Sequence, residues 1–189
     1  MANEVYFKRQ EVKKRIEQKI AEISSLEKAQ FKNDFFTIFF RLEESEFKGY
    51  MDNIVSMSTK RMEVVLDLKT LLELNIQAIS SHKQAEAYGI IIKDLSGRLK
   101  ECKEDLEQNN QELIDIASKI SAILGQTVIG YKYLSDRFES LSNKNESIWS
   151  DVEEVREFVY ELDKEVAEKV ARRNPPKEDV LPQEYELDV

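Results

Sequence analysis

The sequence predicts an all-α protein, an elongated antiparallel helical bundle or coiled coil of three to four long helices with a disordered acidic C-terminal tail. Three observations lead to this fold class. Charged residues make up 34% of the 189 residues, whereas the helix-breaking residues Gly and Pro number only five and three. Apolar residues recur at alternating spacings of three and four, which keeps one stripe of a helix facing a neighbour. The apolar share of 41% is large enough for a packed core.

The first helix is predicted from about Asn3 to Glu46. Its apolar face continues into a cluster of phenylalanines that is too wide for a seam between two helices, so we expect the cluster to contact further helices or a partner protein. A break is predicted at Lys48-Gly49-Tyr50, with Gly49 as the helix C-cap and Asp52 or Asn53 as the next N-cap. The phenylalanines predicted to bind a partner are Phe35, Phe36, Phe39 and Phe40.

The second helix is predicted from about Asp52 to Ser80 and the third from Ala85 to Ile123. Between Ile79 and Ala85 the core spacing becomes three and three, so the chain either turns, kinks or continues there. The third helix keeps its spacing throughout, and at 1.5 Å per residue it forms a rod of roughly 58 Å. Its core positions are Ala85, Tyr88, Ile92, Leu95, Leu99, Cys102, Leu106, Asn109, Leu113, Ile116, Ile120 and Ile123.

A second break is predicted at Gly125–Gly130, although a continuous helix with a local change of register is the alternative. The last helix repeats the spacing of three and four and is predicted to end near Arg172 and Arg173, because Pro175 cannot continue a helix. Its core positions are Phe138, Leu141, Asn145, Ile148, Val152, Val155, Val159, Leu162 and Val166. Helices that fold back at these breaks make a four-helix bundle, whereas the alternative is one long rod that dimerises.

Two asparagines, Asn109 and Asn145, occupy core positions of the third and last helices. We predict that they set the register of the bundle by hydrogen bonding to each other or to a facing polar group. The alternative is that each points into a wet edge of its seam. A buried amide without a partner costs roughly 1–3 kcal/mol, so a protein group or water must satisfy both side chains.

The chain after residue 173 has a different composition. We expect residues 1–173 to form the bundle domain and residues 174–189 to form an extended tail, since Pro and acidic residues dominate there. A free carboxylate after alternating apolar residues can add to a sheet edge of a partner protein, so the tail is a candidate docking motif, with an inert solubilising tail as the alternative. Its apolar anchors are Tyr185, Leu187 and Val189.

Residues that carry chemistry are scarce. The chain has one histidine, His82, and one cysteine, Cys102, which excludes a zinc site built from these residue types. A di-iron bundle needs Glu-x-x-His elements, but Ile79 stands three residues before His82. Phosphate-binding and calcium-binding loop motifs are also missing. We therefore expect no enzyme activity, no cofactor and no metal.

The net charge of −9 disfavours binding to nucleic acid, because phosphate contacts need clustered cations. The first twenty residues are nevertheless basic. We predict that their cations pair with acidic faces of the other helices, and a basic helix that lies on an anionic membrane is the alternative. The beginning of the sequence lacks the pattern of a signal peptide, so the expected location is the cytoplasm.

These observations favour a non-catalytic protein–protein interaction protein: a coiled-coil scaffold, an adaptor or a structural subunit of a larger assembly. Protein partners and self-association are expected. One alternative is an acidic helical inhibitor or chaperone that occupies a basic surface of a partner. Another is a membrane-active helical component, such as a part of a pore-former or a tether.

Overall fold

Four α-helices form the described part of the computed structural model, which comprises residues 2–28, 44–79, 82–123 and 131–173. The helices are α1 (Ala2–Lys28), α2 (Glu44–Ala78), α3 (His82–Ile123) and α4 (Tyr131–Arg173). No strand occurs within these ranges. The predicted all-α class, with a bundle of three to four long helices, is therefore confirmed.

α3 and α4 pack against each other in opposite directions. Their side-chain contacts show this, because the residue number rises along α3 while it falls along α4. Tyr88 bonds to Glu165 at 2.8 Å, Arg98 to Glu154 at 3.0 Å and Asn109 to Asn145 at 2.9 Å. The chain therefore folds back on itself, and the alternative of one continuous rod is wrong.

α1 lies antiparallel to both α2 and α4. Along α2, Arg15 contacts Asp67 at 2.8 Å, whereas the later residue Glu27 contacts Arg61 at 3.0 Å. At the other edge of α1, Arg9 contacts Asp163 of α4 at 2.7 Å. α2 also packs against α3 and α4, so it is the helix that all three others share.

The buried apolar side chains form two separate clusters. The first cluster contains residues of all four helices, among them Ile16, Leu68, Leu99 and Val159. The second cluster draws its buried residues from α2, α3 and α4, and they are Phe47, Met51, Ile54, Leu113, Ile116, Ala117, Ile120, Phe138 and Leu141. Polar side chains lie between the two clusters.

The predicted break at Lys48-Gly49-Tyr50 is wrong. α2 begins at Glu44 and runs through Gly49, so Asp52 and Asn53 lie inside a helix rather than at an N-cap. Glycine inside a helix costs only about 1 kcal/mol relative to alanine. Phe47 and Met51, which are both buried on either side of Gly49, outweigh that cost by packing into the second cluster.

The break predicted at Gly125–Gly130 agrees with the helix ends, and the chain also breaks between Ile79 and Ala85, where the sequence left a turn, a kink or a continuous helix open. α2 ends at Ala78 and α3 begins at His82, while α3 ends at Ile123 and α4 begins at Tyr131. α4 ends at Arg173, as the basic residues before Pro175 predict. The predicted partner-binding residues Phe35, Phe36, Phe39, Phe40, Tyr185, Leu187 and Val189 lie outside the described residues, as does the predicted tail at 174–189.

Candidate functional site

A layer of buried polar side chains crosses the bundle between the two apolar clusters. Asn109 donates from Nδ2 to Oδ1 of Asn145 at 2.9 Å, so the two asparagines predicted to set register bond directly to each other. Asn145 in turn donates from Nδ2 to the hydroxyl oxygen of Ser58 and, at 3.4 Å, to Oδ1 of Asn110. Ser58 donates its hydroxyl proton to Oδ1 of Asn110. We call these four residues the polar layer.

All four side chains of the polar layer are buried, and Asn145 is only 1% exposed. They come from α2, α3 and α4. A buried amide or hydroxyl keeps its bonds only if these helices stay in register, because sliding one helix leaves several polar groups without partners. Sequence reasoning identified the asparagines but missed Ser58 and Asn110.

Arg61 continues the polar layer towards α1. Its side chain is 1% exposed, and its two terminal nitrogens contact Glu146 of α4 at 2.9 Å and Glu27 of α1 at 3.0 Å. The guanidinium also lies 5.5 Å from the ring centre of Trp149, a cation–π distance. A single buried arginine on α2 therefore links α1 and α4. The sequence carries a signal for it, because the spacing of four and three extended backwards from Val65 reaches Arg61 and Ser58.

The cations of α1 pair with the acidic faces of its neighbours. Asp163 of α4 accepts bonds from Arg9 at 2.7 Å and from Lys13 at 3.2 Å. Asp67 of α2 accepts bonds from Arg15 at 2.8 Å and from Lys19 at 2.9 Å. These contacts agree with the predicted pairing and engage the charges that a membrane-binding α1 would present to lipid.

The Asp67 carboxylate shows how the pairing acts on a titrating group. Burial opposes the charged form, but the hydrogen bonds from Arg15 and Lys19 outweigh it and lower the pKa of Asp67. The protonated, neutral form of Asp67 is thus disfavoured. The carboxylate stays charged at ordinary pH, and its ion pairs hold α1 on α2.

Large apolar side chains are exposed at one end of the bundle, where α1 and α3 begin and α2 and α4 end. Ile90 is 84% exposed and Phe7 is 65% exposed. The contacts of Arg9 with Asp163 and of Tyr88 with Glu165 bring these helix ends together. We call this set the end patch, and it consists of Tyr6, Phe7, Ile76, Ile90 and Ile91.

Sequence reasoning missed the end patch, although one signal was available. Three consecutive isoleucines, Ile90, Ile91 and Ile92, cannot share one stripe of a helix, because successive side chains point about 100° apart. Only Ile92 follows the core spacing. The other two therefore had to lie outside the seam or at its edge.

Two surface grooves accompany these features. One lies between α1 and α4, has a volume of about 600 Å³ and is lined by Ile20, Ala21, Arg156 and Tyr160 together with three glutamates. The Tyr160 hydroxyl is buried without a hydrogen-bond partner. Burial, together with the charge of Glu17, raises the pKa of Tyr160 to about 12.

The second groove follows the outer face of α3 and has a volume of about 550 Å³. Its lining combines one protruding apolar side chain with a glycine and with charges of both signs. The residues are Ile90, Lys93, Asp94, Gly97, Arg98 and Glu101.

The residue types that commonly bind metals or act as nucleophiles are placed as follows. Within those four ranges, no group of three or more His, Cys, Asp or Glu side chains is arranged to hold a metal ion. Cys102 is a buried free thiol, and its pKa is raised by burial and by the charge of Asp151. A thiol with a raised pKa is a poor nucleophile, since the thiolate is the reactive form. His82 is the first residue of α3.

The comparisons with known proteins give no relative. The chain matches no protein-family model, no curated protein and no solved structure. Across the part of the chain that the structure describes, no helix has an apolar stretch long enough to cross a membrane.

Proposed function

We propose that this chain is a non-catalytic protein–protein interaction protein, a helical scaffold or adaptor that docks through the end patch. The observation that carries the proposal is the exposure of Ile90, Ile91 and Phe7 at one end of a bundle whose buried apolar residues form two interior clusters. Fully burying one such side chain contributes about 1.5–3 kcal/mol. A few of them that pack together on a partner suffice for specific binding.

The internal organisation of the bundle supports the same function. The polar layer and the α1 ion pairs fix the relative positions of four helices, so the end patch is presented on a rigid support. Rigid presentation favours docking, because less conformational entropy is lost when the partner binds. The cations of α1 already form ion pairs within the bundle, so they are less available to an anionic membrane. This favours docking to a protein over docking to a membrane.

The proposal is tested by the mass of the complex that the chain forms in its own cells. The tagged wild-type chain, isolated at its native expression level after mild cross-linking, should migrate as a complex heavier than the monomer. A variant with Phe7→Glu and Ile90→Glu should migrate as the monomer, because each substitution places a charge where apolar burial is required.

A matched control uses the opposite end of the bundle. Ile114 and Tyr133 are exposed to 45% and 72%, and their replacement by glutamate should leave the complex intact. Circular dichroism should show the same helix content in all variants. Monomeric wild-type protein at native expression level would contradict the proposal, and so would a complex that the control variant loses equally.

A further inference from the structure

We infer that the outer face of α3 docks a second copy of this chain around a two-fold axis, with Ile90 of each copy seated over Gly97 of the other. This inference rests on the proposed docking function, for which it names the partner. Ile90 and Gly97 are seven residues apart on one helix, so both lie on the same face, and both line the outer groove of α3. Ile90 protrudes, with 84% of its surface exposed.

The surface at Gly97 is open, and it lies in the same groove as Ile90. A Cβ atom added at this position would meet nothing within 4 Å, so no other part of the described chain fills the space. Glycine in a helix interior is unfavourable relative to alanine, and here no internal contact requires it. If a neighbouring molecule inserts a side chain at this position, the glycine is explained, because any larger residue would occupy the same space.

A two-fold axis between Lys93 and Asp94 relates the two features. It pairs α3 of one copy with the antiparallel α3 of the other, and each Ile90 then lies opposite Gly97 of the other copy. The same axis places Lys93 opposite Asp94 twice, once on each side of the centre. A contact of this kind is self-complementary, as the interface of a two-fold dimer must be.

The central charges are available for this contact. Within the described residues, neither Lys93 nor Asp94 belongs to an ion pair, whereas the neighbouring Arg98 already contacts Glu154 at 3.0 Å. Opposite charges across an interface fix its register and suppress alternative arrangements. Charge complementarity therefore selects a second copy in one orientation.

The contact is short, and this sets the expected strength. A standard interface buries about 800 Å² on each partner, and two turns of one helix bury less than this. Association should therefore be weak and concentration-dependent. Ile91, which belongs to the end patch and is 50% exposed, adds apolar area beside this face.

Sedimentation equilibrium of the purified full-length chain over a wide concentration range tests the inference. The wild-type chain should show a monomer–dimer equilibrium. Ile90→Glu should weaken dimerisation by at least about tenfold, because the loss is counted twice in a symmetric contact. The control Ile114→Glu, on the same helix and half-exposed, should leave the dimer constant unchanged.

Charge reversal gives a second readout that does not depend on apolar residues. Lys93→Asp and Asp94→Lys should each weaken the dimer, since like charges then face each other twice. The double variant, with both changes, should regain the wild-type dimer constant. Gly97→Leu should raise helix stability while it weakens dimerisation, so a folding defect cannot imitate the effect.

A wild-type chain that stays monomeric at all concentrations would overturn the inference. The same holds if the double charge-reversal variant dimerises as weakly as the single variants. This failure is distinguishable from failure of the proposed function. If the purified chain is monomeric but its complex from cells contains a different protein, docking stands and the second copy is wrong. If neither experiment yields a complex, both are wrong.

Discussion

At the scale of single residues, the buried asparagines differ in whether their amides have partners. Asn145 bonds to Asn109, Ser58 and Asn110, and all of these bonds join different helices. Asn75 of α2 is 0% exposed, and neither its amide nitrogen nor its amide oxygen has a hydrogen-bond partner. Both asparagines occupy core positions of the apolar spacing, so the same residue type has its hydrogen bonds satisfied at one level of the bundle and unsatisfied at another.

Replacing each of these asparagines by leucine should therefore have opposite effects. Asn75→Leu should raise the free energy of unfolding by about 1–3 kcal/mol, because it removes a buried amide whose desolvation is uncompensated. Asn145→Leu should lower it by a similar amount, since Asn109 and Ser58 lose their partner. Urea unfolding followed by circular dichroism measures both. Two changes of the same sign would contradict the assignment of the partners.

The Tyr160 hydroxyl gives a prediction about pH. Its pKa is raised from 10.0 to about 12, mainly by burial, so the folded state holds the phenol proton more tightly than the unfolded chain does. The stabilisation from the neutral phenol is complete below pH 10 and is lost as the pH rises through about 12. Unfolding midpoints measured from pH 9 to 12 should fall less steeply for Tyr160→Phe than for the wild type. Equal slopes would be inconsistent with a buried phenol.

At the scale of elements, α1 is attached to α4 through a buried ion pair. Arg9 and Asp163 have side chains that are 3% exposed, and Arg9 also donates to the backbone carbonyl of Asp163 at 2.6 Å. Removing one partner of a buried pair leaves the other charge uncompensated, which costs far more than losing an exposed pair. Lys13 remains beside Asp163 and limits the damage.

Arg9→Met should lower the free energy of unfolding by about 3 kcal/mol, the lower end of the range for such pairs. The double variant Arg9→Met with Asp163→Leu should recover most of the loss, because no charge is then left buried. Lys103→Met, which breaks an exposed pair with Glu107, is the matched control and should change stability much less. Urea unfolding midpoints measure the stability of all three variants. A double variant that is less stable than Arg9→Met alone would contradict the argument.

The helices themselves were largely predictable from sequence because their signal is local. The spacing of three and four predicted α3 to within a few residues, and the glycine and proline positions predicted where α3 and α4 end. The error at Gly49 arose because a glycine signals a break only by its intrinsic cost. Packing of Phe47 and Met51 around it depends on residues far along the chain, which local spacing does not reveal.

The candidate site was less predictable for the same reason. Asn109 and Asn145 stood out because they are amides on an apolar stripe, and they do bond to each other. Ser58 and Arg61 lie on core positions too, but small or cationic residues there look like interruptions of the pattern until the facing helices are known. The end patch was missed for the opposite reason. Its apolar residues, such as Ile90, lie off the apolar stripe, where polar residues are expected.

At the scale of the whole molecule, the polar layer divides the interior into two apolar clusters. On α3, Asn109 and Asn110 lie between Leu106 of the first cluster and Leu113 of the second. On α2, Ser58 directly follows Met57 of the first cluster and lies one turn after Ile54 of the second. An all-apolar interior would hold the helices together in several registers, because apolar contacts are not directional. Hydrogen bonds between specific amides select one register at some cost in stability.

Replacing the layer by apolar residues should therefore separate stability from register. A variant with Ser58→Ala, Asn109→Leu, Asn110→Leu and Asn145→Leu removes the four polar side chains of the layer together, so none of them is left without a partner and the melting temperature should rise. The register of α3 on α4 is read by spin labels placed at positions 98 and 154, whose side chains contact each other at 3.0 Å in this structure. With Cys102→Ser in both backgrounds, electron paramagnetic resonance should show one narrow distance distribution for the wild-type layer and a broadened distribution for the apolar layer. A narrow distribution in both would mean that apolar packing alone fixes the register and that the asparagines have another role.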